Sequence, residues 1–210
     1  MSDRKGPSQR GYREVARDDP LGGFEVGNLV CFCFHKPTDR TQRSWLNFLA
    51  MMHSFFIHCE VAVANKPRTE SRTLYISKSS NMVSLAEIHY SDTISKPPWR
   101  FVWVNMTDVQ ARDMRLELEA YLTTKRKRFS NCRIVCYPCT GCYSDDTTTC
   151  SELAVTLLNR VWQINTGPVR YYSPDDVFNL LQTLHTNKQI SINTAMTKAN
   201  VAPDALADFK

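Results

Sequence analysis

Apolar and polar positions follow two different periods along this chain. Leu29-Val30-Cys31-Phe32-Cys33-Phe34 is apolar at every position, as in a central strand buried on both faces. Between residues 41 and 54, Trp45, Leu46, Phe48, Leu49 and Met52 recur mainly at spacings of three and four, which predicts a helix with a wide apolar face. Phe56 to Ala64 reads as a strand that ends before a polar turn, and Thr73–Ser77 and Met82–Ile88 as a hairpin turning at Ser79-Ser80-Asn81. Pro97-Pro98 precede another strand, Arg100–Val104. Thr107 or Asp108 can cap a helix over about 108–124, with Ala111, Met114, Leu118 and Leu122 on one face. A short strand is expected at Arg133–Tyr137, a helix from Cys150 to about Trp162, and a last short helix at Val177–His185, capped by Tyr171–Asp176.

This succession predicts an α+β chain, with a small, mostly antiparallel sheet packed against helices. Residues 1–23 are polar and carry Gly6, Pro7, Gly11, Pro20, Gly22 and Gly23, so a flexible arm is expected there. The folded domain is then expected over residues 24–185. Residues 186–210 lose periodicity and are expected to form a loosely ordered tail.

Composition narrows the picture. With 42% hydrophobic and 22% charged residues in 210, the chain has a globular composition and is long enough for one domain with a core. The formal net charge of +5 permits an acidic partner or contact with a membrane surface but requires neither. Lys125-Arg126-Lys127-Arg128 reads as a localisation or phosphate-binding patch, or as a solvated helix end whose cations favour the helix dipole. No aromatic platform accompanies it, so nucleic acid is not an expected partner. The first twenty residues hold no apolar stretch of the kind a secretory signal needs. Trp45 to Ile57 is too short, and too interrupted by Asn47, His53 and Ser54, to span a membrane. A cytoplasmic protein with reduced thiols is the expectation. Each of its eight cysteines is then a packing group, a metal ligand or a nucleophile.

Two local signals carry chemistry. Thr149 followed by Glu152 is a capping box, which makes Cys150 the first residue of an amphipathic helix with Leu153, Ala154, Leu157, Leu158 and Val161 on its apolar stripe. A thiol there sits beside unpaired backbone N–H groups and the positive end of the dipole, which stabilise a thiolate and can hold an oxyanion. The same position also suits a small buried residue at a helix start. A thiolate nucleophile needs a proton partner. His58 begins a strand, and Glu60 two residues on shares its side, where a carboxylate can fix the tautomer and favour the imidazolium. A solvent-facing pair on an edge strand fits that pattern as well.

Together these signals resemble the permuted NlpC-type papain-like superfamily, in its YiiX-like branch, which includes poxvirus members and is related to lecithin retinol acyltransferase. Its Gly-Asp-Leu opening turn is matched by Gly27-Asn28-Leu29-Val30. Its histidine-led strand is matched by His58-Cys59-Glu60-Val61-Ala62-Val63, and its Cys-Ser-Glu-Leu helix start by Cys150-Ser151-Glu152-Leu153-Ala154. The resemblance covers roughly Phe24 to Leu181, with histidine before cysteine as in the permuted order. It implies a circularly permuted papain-like fold and a cysteine hydrolase or acyltransferase. Cys150 would attack the acyl carbonyl of an amide, ester or thioester, and His58 would be general base and then acid. Glu60 would orient His58, with Glu87 as the competing orienter. The implied partner is an acyl-containing substrate, whether lipid, peptide or conjugate, and no cofactor is implied. A catalytically silent papain-like domain that binds protein or membrane is the alternative.

The chain departs from that pattern at Asn28, where the family has aspartate. It also carries a run of thiols, Cys132, Cys136, Cys139 and Cys142, beyond what the family requires. Four cysteines can hold structural zinc, but these are compressed into eleven residues rather than paired across a longer loop, so no metal site is expected. Cys31, Cys33 and Cys59 lie on apolar strands and read as core.

Overall fold

The computed structural model describes residues 12–14, 21, 24–36, 55–66, 71–77, 82–88, 99–123, 128–129, 146–169 and 172–201. The strands are β1 (Tyr12–Glu14), β2 (Val26–His35), β3 (His58–Asn65), β4 (Ser71–Ser77), β5 (Met82–Ile88), β6 (Trp99–Asn105), β7 (Arg128–Phe129), β8 (Thr147–Thr148) and β9 (Ser191–Ile192). The helices are α1 (Asp108–Thr123), α2 (Cys150–Trp162), α3 (Pro174–Thr186) and α4 (Thr194–Ala199). The fold is α+β. One sheet runs in the order β8-β7-β5-β4-β3-β2-β6-β9, with β1 also paired to β5, and every pairing is antiparallel except β7 with β8.

β2 lies at the middle of the packed region because it is apolar on both faces. Val30, Phe32 and Phe34 face one way, and join Val61, Val63, Val102 and Val104 under the helix layer of α1, α2 and α3. Leu29, Cys31 and Cys33 face the other way, with Ala62, Ala64, Phe101 and Trp103, and Met196 of α4 covers them. A strand with solvent on one side would alternate apolar with polar; β2 does not, because it has no solvent side. Its register sets Val26 opposite Asn65 and His35 opposite His58, so β2 and β3 run side by side for their whole length.

Two terminal expectations are corrected. Residues 191–201 are not a loose tail. β9 pairs with the end of β6, and α4 is tied to the sheet by hydrogen bonds from Trp103 N–H to Thr197 Oγ1 (3.0 Å), Phe101 N–H to Asn200 Oδ1 (3.0 Å) and Trp103 Nε1–H to the Val201 carbonyl (2.9 Å). The segment has little periodicity of its own because its ordering comes from capping and hydrogen bonds to β6. In residues 1–23, the three residues of β1 pair with β5, and Leu21 is buried in the main core. Backbone pairing to a neighbouring strand needs no apolar pattern in the added strand, so composition did not reveal it.

The helix expected over 41–54, the strand at Arg133–Tyr137 and the basic residues 125–127 lie outside the described residues. α3 starts at Pro174, earlier than expected, because Ser173 forms a complete capping box with Asp176 and proline suits the first helical position.

The segment expected as an opening turn is the start of β2, and it is a tight fit. A Cβ on Gly27 would stand 2.8 Å from the Asn65 carbonyl oxygen, a backbone atom that no rotamer change can move. Gly27→Ala should therefore destabilise the fold by about 1–3 kcal/mol, read as a lower urea midpoint at unchanged slope.

Candidate active site

The site forms where the first residues of β3 meet the first turn of α2. Thr149 caps that helix: its hydroxyl accepts the Glu152 N–H at 3.2 Å, and its carbonyl accepts the Leu153 N–H at 3.0 Å. Cys150 is thereby fixed as the first helical residue. Val155, Leu157, Leu158 and Val161 anchor the rest of the helix in the core. The sulfur's position is thus set by a cap at one end and an apolar stripe along the other.

β3 presents alternate side chains to its two sides. Cys59, Val61 and Val63 face the helix layer. His58 and Glu60 share the opposite side, and His58 Nε2 lies 3.0 Å from Glu60 Oε1. Being the strand's first residue, His58 lies at the end of β3, near enough to Cys150 for each to shift the other's titration. With Nε2 held by Glu60, Nδ1 is the nitrogen left for the sulfur. Glu60 is only 6% exposed, whereas the His58 side chain keeps 32% of its exposure.

The register sets the backbone of Glu87 away from His58. Glu87 stands opposite Arg72, and Arg72 opposite Val63, so it is two strands across and five residues along from His58. Glu60 holds that place at hydrogen-bond distance.

The electrostatics favour an ion pair. Burial disfavours the His58 imidazolium, but the negative charge and hydrogen bond of Cys150, and then of Glu60, outweigh it and lift the His58 pKa to about 10. The Cys150 thiol is pushed well below its ordinary value, first by a hydrogen bond from the Cys59 thiol, then by the charge and hydrogen bond of His58 and by the Cys59 backbone N–H; burial opposes this. Cys59 is shifted the other way, because it donates to the Cys150 sulfur and because it is buried. The shifts favour a Cys150 thiolate, a His58 imidazolium and a protonated Cys59.

His35 is directly across from His58 in the sheet, and its ring packs edge-on to Trp99 with centroids 4.7 Å apart. Burial, and then the charge on His58, lower its pKa to about 4. His35 is neutral at pH 7, so the proton of this histidine pair resides on His58.

Cys59, read from sequence as a core residue, is indeed buried at 2% exposure, but it also lies against the Ser151 hydroxyl that Cys150 contacts. The signal was present: the residue after His58 points to the other side of the strand, toward the helix layer. Asp175 was also missed. Its carboxylate accepts the backbone N–H of Phe55 and, at 2.9 Å, that of Phe56, which pins the approach to His58 onto the start of α3. Only the spacing of a helix-capping segment marked it in the sequence. Phe55, Phe56, Arg100, Asp175, Phe178 and Asn179 line a groove of about 280 Å³ beside that approach.

Cys132, Cys136, Cys139 and Cys142 lie outside the described residues. Among the described residues, no group of three or more His, Cys, Asp and Glu side chains is placed to hold a metal ion, and no helix is long and apolar enough to cross a membrane. No family model, curated protein or solved structure matches the chain.

Cys150 should be the thiol that a limiting alkylating reagent labels first, as read by peptide mapping. The sign of the pH dependence follows from the charges. His58→Ala removes the imidazolium that favours the thiolate, so the Cys150 pKa rises and labelling near neutral pH slows by about tenfold or more. Cys59→Ala removes a hydrogen-bond donor to the thiolate and should also raise the Cys150 pKa, visible as a shift of the labelling profile toward alkaline pH.

Proposed function

We propose that this chain is a cysteine hydrolase or acyltransferase of the permuted papain-like kind. The observation that carries the reading is the placement of Cys150, at the N-terminus of α2, against a His58 that is held by the buried carboxylate of Glu60. Histidine precedes cysteine in the chain, as in the permuted arrangement that the sequence resembles.

The chemistry follows from the resting charges. The thiolate is already formed, so Cys150 attacks an acyl carbonyl without first losing a proton. Negative charge builds on the carbonyl oxygen, and the N–H groups of the first turn of α2 together with the helix dipole are placed to favour it. When the tetrahedral species collapses, His58 gives its proton to the departing nitrogen, oxygen or sulfur, and the acyl group remains on Cys150. His58, now neutral, takes a proton from water or another acceptor, which attacks the thioester and frees Cys150. Glu60 keeps the ring in position and favours its charged form throughout.

Asn28 supports this reading by its distance from the chemistry. Its amide donates to the Asp108 carboxylate at 2.9 Å, and its carbonyl accepts the Met106 N–H at 2.9 Å. It sits near the start of β2, whereas His58 is opposite the other end, at His35. The departure from the family's aspartate thus concerns how the start of β2 is tied to Asp108 and Met106.

Turnover should be measured on a panel of lipid, peptide and isopeptide acyl donors. At least one donor should be consumed, with a Cys150-linked thioester trapped in mass spectra, and Cys150→Ala should abolish both. Failure to consume any donor, and to form a thioester with any, would favour the binding-module reading instead.

A further inference from the structure

We propose that Cys59 is the resolving thiol of a peroxide-sensitive switch, closing a reversible disulfide to Cys150 when Cys150 is oxidised. The inference rests on the reading of Cys150 as a reactive thiolate and adds a second, separable reaction at the same sulfur. Its basis is the meeting of two cysteines from distant parts of the chain. Cys59 on β3 and Cys150 on α2 both touch one atom, the Ser151 hydroxyl, at 4.0 and 3.9 Å respectively. The two elements pack against each other, and Cys150 packs against the apolar cluster that holds Cys59. Two thiols against one hydroxyl, from elements that pack together, are arranged as an attacking and a resolving pair.

The burial pattern suits those roles. Cys150 is partly accessible, so a small hydroperoxide can reach it. Cys59 is 2% exposed and held as the thiol, so it is not a first target for an oxidant in solution. It needs no solvent access, because its partner lies across the same Ser151 hydroxyl. The other buried pair, Cys31 and Cys33, has its sulfurs 3.7 Å apart but is sealed beneath α4 with no accessible member.

The steps balance with hydrogen peroxide as oxidant. The Cys150 thiolate attacks one peroxide oxygen, a sulfur–oxygen bond forms, and the oxygen–oxygen bond breaks. The departing hydroxide takes the proton of the His58 imidazolium and leaves as water, with Cys150 as a sulfenic acid. The Cys59 sulfur then attacks the Cys150 sulfur. The sulfur–sulfur bond forms, the sulfur–oxygen bond breaks, and the Cys59 proton leaves with the hydroxyl as a second water. Peroxide has been reduced by two electrons and the two thiols oxidised by two. An external dithiol reverses the link by thiol–disulfide exchange. Acyl transfer is off while the link stands, and Cys150 is spared irreversible oxidation to the sulfinic acid.

The test treats the full chain with hydrogen peroxide, blocks the remaining thiols, and digests it without reduction. Cleavage before aspartates releases Cys59 within residues 39–91 and Cys150 within residues 146–174, each as the single cysteine of its peptide. The expected result is a linked pair of these two peptides that disappears on treatment with dithiothreitol. In Cys59→Ser the link should be lost, and Cys150 should accumulate as a dimedone-trapped sulfenic acid and then as sulfinic acid. Sulfenic or sulfinic acid on Cys150 of the parent chain without the link, or a link from Cys150 to any other cysteine, would overturn the proposal and leave the reactive thiolate standing. A Cys150 that resists peroxide altogether would overturn both.

Discussion

The site depends on one junction, where the first three residues of β3 meet the first turn of α2. A thiolate is costly in a dry environment unless charge and hydrogen bonds surround it. Here the compensation comes from the His58 imidazolium, the Cys59 thiol and backbone N–H, and the N-terminus of α2. All are placed by two elements and by the core that presses them together. The cap at Thr149 sets where α2 begins, and its apolar stripe sets how it lies on the sheet. The pairing of β3 with β2 over its whole length sets where β3 begins.

The two-sided strand makes this arrangement possible. His58 and Glu60 share one side of β3, while Cys59 points to the other, and the end of the strand is where groups from both sides can surround one sulfur. The opposite wall is fixed as firmly. His35 is pressed against Trp99 and kept neutral, so it does not compete with His58 for the proton. Asp175 ties the backbone at Phe55 and Phe56 to α3, which holds the segment entering β3. A third layer, α4, closes the far face over Trp103 and leaves β2 buried on both sides.

Periodic elements and local motifs were legible in the sequence. The residues of α2 follow from the capping pattern and the stripe, and the unbroken apolar run at Leu29–Phe34 marked a doubly covered strand. The pairing of His58 with Glu60 followed from strand alternation alone. Less legible was everything that depends on distance across the chain. Glu87 competes with Glu60 on paper, and the register, which places it two strands away, favours Glu60. Cys59 looked like one more apolar position because its contact with Ser151, beside Cys150, joins residues far apart in sequence. β9 and α4 lack strong periodicity since their order comes from hydrogen bonds to β6.

The central claim is that Cys150 rests as a thiolate paired with the His58 imidazolium at neutral pH. The ultraviolet absorbance of the thiolate, titrated against pH as a difference between the parent chain and Cys150→Ser, measures this directly. The account predicts a Cys150-dependent absorbance already complete at neutral pH, lost only on acidification and displaced to alkaline pH by His58→Ala. An absorbance that first appears above about pH 8, as for an ordinary thiol, would contradict it.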